Sequence, residues 1–293
     1  MTDVLIRDVG PRDGLQSEPP VAVSDRVRLI EALVAAGVRR IEACSFVSPR
    51  AVPSMAGAAD VMASVPRSPG VVTYTALVPN VRGAEMALAA SVDELTVTIS
   101  ASEAYNQKNV RMSVDESVDV VAAICALSTV PVDAVVSCAF GSPYEGDLAV
   151  TDIATLCGRL RDVGVSALTL ADTTGMATPV RVASVVDAVG SADAIGLHLH
   201  ETRGTGLVNA YAALSLGVRR FDTSVGGLGG SPFADGAAGN LATEALVYVL
   251  DDMGVTTGIS LPALLDAAAL VESLVGHPLP SAVANAGPRL PVG

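Results

Sequence analysis

Lysine is almost missing from this sequence: Lys108 stands alone, and the other 17 of the 18 basic residues are arginines. Tryptophan is absent and aromatic residues make up 3% of the chain. Acidic residues number 31, giving a formal net charge of −13 with no basic block anywhere. Such a chain lacks the phosphate neutralisation on which general nucleic-acid affinity rests, so nucleic acid is excluded as a general partner. Long apolar runs are also missing. Half of the residues are hydrophobic, mostly Ala and Val, but Gly, Pro or a charge interrupts them every few positions. No stretch is long enough for a bilayer span. Met1 to Arg12 has neither a basic n-region nor an apolar h-region, so no secretory signal is expected and the chain reads as cytoplasmic. The four cysteines, Cys44, Cys125, Cys138 and Cys157, form no C-x-x-C and no zinc-like cluster. Disulfides are not expected in that compartment. A mainly disordered chain is excluded by the 50% hydrophobic content.

What is present is a repeat of short β-branched runs separated by helical stretches. Eight strands are expected at residues 4–8, 40–46, 71–78, 94–100, 134–140, 167–172, 194–200 and 221–225. A first helix follows Ser24-Asp25 through Ile30, Leu33 and Val34, and Gly37 stops it. Further helices are expected over 81–90, 115–127, 149–163, 179–189, 206–216 and 237–253, with the Pro-containing connection 50–65 the least regular. Eight βα units in roughly 250 residues match the α/β class with a (β/α)8 TIM barrel; a doubly wound open sheet seldom needs eight regular repeats. Near-continuous apolar strands suit a parallel sheet buried on both faces. One domain is expected over 1–293, with 260–293 as a C-terminal helix and tail.

In such a barrel the catalytic groups sit at the C-terminal ends of strands. Arg12 and Asp13 follow strand one, Glu42 and Cys44 lie on strand two, Asp172 ends strand six, and His198-Leu199-His200 ends strand seven. Residues two apart on a strand share a face, so both imidazoles can converge on one ion at the barrel mouth. Only three histidines exist, and His277, alone in the tail, reads as structural or surface. Asp13 is a natural third ligand, because a carboxylate at the mouth needs a cation or hydrogen bonds; its other reading is a turn residue before Gly14. Mixed His and carboxylate ligands suit Mg²⁺ or Mn²⁺, and Zn²⁺ also takes imidazole. Arg12 either makes a scaffold ion pair or stabilises a developing oxyanion. The glycine-rich stretch 226–239 fits neither G-x-G-x-x-G nor G-x-x-x-x-G-K-[ST], and reads equally as a phosphate-binding loop or a lid. Cys125 and Cys157 read as helix core residues; Cys44 and Cys138, on strands two and five, approach the mouth or simply pack.

Several longer segments carry a resemblance. In order they are VGPRDGLQSE from Val9, IEACSFVSP from Ile41, VPN at Val78, VSCAFGSPYEG from Val136, LADTTGMATP from Leu170, HLHETRG from His198 and GGLGGSPFADGAAGNLATE from Gly226. Together, from about Val9 to Thr257, they resemble the 3-hydroxy-3-methylglutaryl-CoA lyase family of metal-dependent barrel enzymes. The resemblance implies cleavage of 3-hydroxy-3-methylglutaryl-CoA to acetyl-CoA and acetoacetate. It implies metal ligands at Asp13, His198, His200 and Asn240, Arg12 as the catalytic arginine, and Glu42 and Asp172 as acidic groups around the site. A homodimer is plausible on the same ground.

The sequence departs from the family at Ser231, where the glycine loop usually carries a cysteine linked to proton transfer. A hydroxyl is a far weaker acid than a thiol, which leaves three readings: a slow enzyme, another acid such as His198 or a metal-activated water, or a different substrate. Glu201, Arg203 and Pro19-Pro20 also differ and bear on acyl specificity. Two other functions remain as alternatives: a metal-dependent condensing enzyme or aldolase acting on 2-oxo acids, and a catalytically disabled barrel that only binds. With a net charge of −13, a polyanionic CoA substrate must be attracted locally, which nominates Lys108 as a CoA phosphate contact against the plainer reading of a surface lysine.

Overall fold

The computed structural model describes residues 4–67, 70–230 and 239–289. Its strands are β1 (Leu5–Asp8), β2 (Arg40–Ser45), β3 (Thr73–Leu77), β4 (Glu94–Ser100), β5 (Val132–Ser137), β6 (Ala167–Ala171), β7 (Ile195–His198) and β8 (Arg220–Thr223). All pair in parallel with their sequence neighbours, and β8 returns to β1 with Leu5 opposite Arg220, so the sheet closes. The expected eight-stranded βα barrel is what forms.

The helices are α1 (Val23–Ala35), α2 (Ala58–Ser64), α3 (Val81–Ala89), α4 (Glu103–Val110), α5 (Val114–Leu127), α6 (Val150–Asp162), α7 (Pro179–Val189), α8 (Gly206–Ser215), α9 (Thr243–Asp252), α10 (Leu261–Val275) and α11 (Ala282–Ala286). Local chemistry sets several starts. The Asn80 side chain accepts the Gly83 amide, Thr178 accepts Arg181 ahead of Pro179, and Ser113 with Glu116 forms a reciprocal cap on α5. On α1 the apolar face of Leu29, Ile30 and Leu33 is fully buried. Among the described residues no helix is long and apolar enough to cross a membrane.

Several elements differ from expectation, among them the helix expected over 237–253, which runs only from Thr243 to Asp252. A short helix, α4, occupies a segment assigned none, because its buried Asn106 is held by polar contacts rather than by an apolar stripe. Its amide donates to Met112 and Ser113 carbonyls at 2.9 and 3.0 Å. The fifth strand begins at Val132 and ends before Cys138, whose positive φ of 57° turns the chain. The seventh strand is shorter too, ending at His198, and His200 instead bridges antiparallel to Asn240.

The barrel lumen is more polar than near-continuous apolar strands imply. Arg7 contacts Asp133 at 2.8 Å and Asp222 at 2.7 Å, Arg40 pairs with Glu94, and the Thr169 hydroxyl donates to Asp133 at 2.9 Å. The apolar core lies instead between the strands' outer faces and the helices. At the far end of the chain, the Ser281 amide donates to the Gly226 carbonyl at 3.2 Å, and buried Leu279 sits where a Cβ on Gly226 would be 2.8 Å away. Glu244 accepts the Gly226 amide with both oxygens, at 3.0 and 3.2 Å.

Candidate active site

After β1 the chain makes one wide helical turn, Gly10–Gly14, opened by Pro11. The Val9 carbonyl accepts amides from Arg12, Asp13 and Gly14 at 3.1, 2.7 and 3.2 Å, which fixes the turn's direction. A side chain at Gly10 would lie 2.8 Å from the Asp8 carboxylate and 2.9 Å from Val225, so only glycine lets the turn sit this close. Asp8 itself is fully buried and accepts Gly10 N at 2.8 Å, Val225 N at 3.0 Å and the Thr243 hydroxyl at 2.6 Å. It thus ties the turn to the glycine loop and to the start of α9.

The turn presents Arg12 and Asp13 side by side. Arg12 Nε donates to Glu42 Oε2 at 2.5 Å and Nη1 donates to Asp13 Oδ1 at 2.7 Å. The other Asp13 oxygen accepts from Asn240 Nδ2 at 2.8 Å, and that amide also donates to the Leu228 carbonyl at 2.9 Å. Gly229, at φ +105°, is the close neighbour here: a Cβ would stand 2.4 Å from Asn240 Nδ2.

The two imidazoles turn Nε2 toward each other at 3.1 Å, with His198 Nε2 3.8 Å from Asp13 Oδ2. One donor atom from each of Asp13, His198 and His200 lies within 4.8 Å of the others. Among the described residues, buried Asn240 Oδ1 has no hydrogen-bond partner. Two imidazole nitrogens, a carboxylate and an uncommitted carbonyl oxygen form a donor set fitted to a divalent cation. Burial pushes the Asp13 carboxyl up, but Arg12, His198 and the Asn240 hydrogen bond together hold it below the ordinary carboxylate range. Burial works against protonation of His198, yet Asp222 and Asp13 raise its pKa on balance.

Asp172 directly follows β6, its amide donating to the His198 carbonyl at 2.8 Å. Its Oδ1 accepts amides from Met176 and Ala177 at 2.7 and 2.9 Å, and Oδ2 has no partner among the described residues. Burial raises this carboxyl to about 6 against those hydrogen bonds.

The remaining sequence candidates fall elsewhere. Ser231 lies outside the described residues. Lys108 is exposed on α4, with Nζ 4.0 Å from the centre of the Tyr144 ring. Cys44 and Cys138 are fully buried and burial pushes both thiols up to about 12, so they pack rather than react. Cys125 is half-buried, where a core position was expected, and Cys157 is buried. Arg203 Nη1 donates to the Thr174 and Gly175 carbonyls at 2.8 and 2.9 Å, linking the loops after β7 and β6. Glu201 accepts the Leu207 amide at 2.8 Å and so starts α8. His277 pairs with Glu18 at 2.9 Å on the surface.

Two residues near the histidines were missed. Asp222 Oδ2 lies 3.3 Å from His198 Nδ1, and Arg7 lies behind Asp222. The only sequence signal was an acid and a base on short mixed strands, Leu-Ile-Arg-Asp in β1 and Arg-Phe-Asp-Thr in β8.

The profile of the HMGL-like family matches residues 3–271. The chain belongs to the HMGL-like family. Hydroxymethylglutaryl-CoA lyase YngG of Bacillus subtilis is 43% identical over 285 residues, 95% of each chain. The (R)-citramalyl-CoA lyase of Chloroflexus aurantiacus is 41% identical over 310 residues, 99% of this chain and 97% of that one. An HMG-CoA lyase from Acenitobacter baumannii, solved with coenzyme A and 3-methylmalate, superposes with a TM-score of 0.94 at 38% identity, covering 99% and 97% of the two chains. The relatives named here are lyases, which supports a carbon–carbon lyase over the aldolase and binding-protein alternatives.

Proposed function

We propose that the protein is a divalent-cation-dependent carbon–carbon lyase that cleaves 3-hydroxy-3-methylglutaryl-CoA to acetyl-CoA and acetoacetate, or a close 3-hydroxy-3-alkylglutaryl-CoA to acetyl-CoA and the homologous product. The observation that carries this reading is the convergence of Asp13, His198 and His200 within 4.8 Å, with Arg12 donating to Asp13 at 2.7 Å. Asp13, His198, His200 and Asn240 would hold the cation, Mg²⁺ or Mn²⁺ by its oxygen content. Such an ion supplies Lewis acidity toward the hydroxyl and carbonyl oxygens of the substrate.

The protein's own groups do the rest. Loss of the tertiary hydroxyl proton and cleavage of the adjacent carbon–carbon bond leave a ketone and a thioester enolate. Asp172, with one oxygen anchored by two amides, serves as an acid–base group for that proton. Arg12 neutralises the enolate oxygen, and Glu42 keeps its guanidinium aimed. Protonation of the enolate carbon completes acetyl-CoA, a step for which Ser231 or Asp172, returning the hydroxyl proton it took, is the donor. Lys108 over Tyr144 contributes a local positive charge for a CoA phosphate.

The citramalyl-CoA lyase relative supports keeping the acyl group open. A panel of 3-hydroxyacyl-CoA thioesters, assayed for acetyl-CoA release with Mg²⁺ or Mn²⁺ and then with chelator, tests the reading. Release that stops on chelation is expected. No turnover of any glutaryl thioester by the metal-loaded protein would sink it. The reading also includes a homodimer, which sedimentation checks.

A further inference from the structure

At the seam where the barrel closes, Arg7 of β1 and Asp222 of β8 stand in register. Arg7 grips Asp222 with a fork, Nε to Oδ1 at 2.8 Å and Nη2 to Oδ2 at 2.7 Å. Its third nitrogen, Nη1, contacts Asp133 at 2.8 Å. Both side chains are enclosed, Arg7 at 4% exposure and Asp222 at 6%. Beyond the fork, Asp222 Oδ2 faces His198 Nδ1 at 3.3 Å, while Nε2 of the same ring faces His200 at 3.1 Å.

We infer that Asp222 is the positioning residue for His198: it keeps the ring proton on Nδ1 and so turns an Nε2 lone pair toward Asp13 and His200, with Arg7 holding Asp222 in place. The inference rests on the cation-binding reading of Asp13, His198 and His200.

The chemistry is a matter of hydrogen-bond polarity. A neutral imidazole has one N–H and one lone pair, and the two tautomers are close in energy in water. An ionised carboxylate only accepts, so the nitrogen facing it carries the hydrogen. Nε2 is then left as the acceptor, the state a metal ligand requires. Arg7 matters because its planar fork occupies both carboxylate oxygens in one geometry, which a lysine could not do. The same fork fixes the carboxylate plane and therefore the ring's rotation. The polar lumen is thus continuous with the mouth: Asp133, Arg7, Asp222 and His198 follow one another from the floor of the barrel to the cluster.

The test reads the tautomer directly. The chain has three histidines, so imidazole ¹⁵N spectra of the metal-free protein at about pH 8 can be assigned with a His277→Gln variant and a His200→Gln variant. His198 is expected as the Nδ1–H tautomer. An Nε2–H form in the unsubstituted protein overturns the inference. Asp222→Asn, which can donate toward Nδ1, is expected to shift His198 toward Nε2–H and to weaken Mn²⁺ binding by about 10- to 100-fold in calorimetry. An unchanged tautomer with unchanged affinity overturns it. If that variant does not fold, Arg7→Lys, which keeps the charge and loses the fork, is expected to weaken Mn²⁺ binding in the same direction, and unaltered binding counts against the proposal. Unsubstituted protein that binds no Mn²⁺ refutes the cation-binding reading instead, and the tautomer measurement then judges Asp222 on its own.

Discussion

Arg12 and Glu42, 30 residues apart in sequence, meet at 2.5 Å, and Arg12 reaches Asp13 with its other arm. One guanidinium therefore faces two carboxylates through two different nitrogens, and its orientation is decided before any substrate arrives. Arg12→Lys keeps the charge but cannot hold both partners. We predict a fall in kcat of about 10²- to 10³-fold, the range for losing an oriented oxyanion donor. Steady-state kinetics with the glutaryl thioester checks this; a kcat within threefold of the unsubstituted protein would show that only the charge matters.

Asp13 and His198 belong to the candidate cation cluster. Asp13→Asn and His198→Ala should each weaken Mn²⁺ binding at least tenfold in calorimetry, without loss of the barrel's circular dichroism spectrum. Retained affinity in either variant refutes the ligand assignment for that residue.

Asp172 gives a pH prediction. Burial raises its carboxyl from the ordinary 3.8 to about 6. An acid raised on folding contributes stability that is fully present below its unfolded pKa and lost as pH rises through the folded one. Above pH 6 the ionised group costs about 3 kcal/mol relative to a neutral one. Asp172→Asn keeps an oxygen for the Met176 and Ala177 amides and should raise the Tm of metal-free protein at pH 8, with the gain vanishing near pH 4. A Tm difference that does not vary between those pH values would be inconsistent with a buried ionising Asp172. Activity of the same variant should drop, since its acid–base group is gone.

Ser231 stands where related loops carry a cysteine. If the hydroxyl is a handicapped proton donor, Ser231→Cys should raise kcat by about tenfold or more. An unchanged rate would assign enolate protonation to another group, with Asp172 the first to examine.

The barrel was legible because short, mostly apolar stretches alternate with helix signals eight times, and that alternation needs few aromatic residues to be seen. The helix α4 was not, because Asn106 is buried by hydrogen bonds to Met112, Ser113 and the Ser117 hydroxyl, none of which leaves an apolar period. In the site, the His-x-His spacing and the position of Asp13 after β1 could be read from strand geometry alone. Asn240 could not, since it follows a long glycine-rich stretch and came only through resemblance; the structure sets it beside His200 by an antiparallel bridge. Arg7 and Asp222 were invisible for another reason. A charge inside a strand gives no sign of whether it faces solvent or lumen, and here both face the lumen.

The contact between Ser281 and Gly226 sets an order in time. The foot of the glycine loop is fastened by residues that a ribosome adds 55 positions later. At ordinary translation speed that is a delay of roughly 3 to 11 s. When the nascent chain has delivered all eight strands, Leu279 and Ser281 are still to be added, so Gly226 gains these two contacts only after the strands are complete.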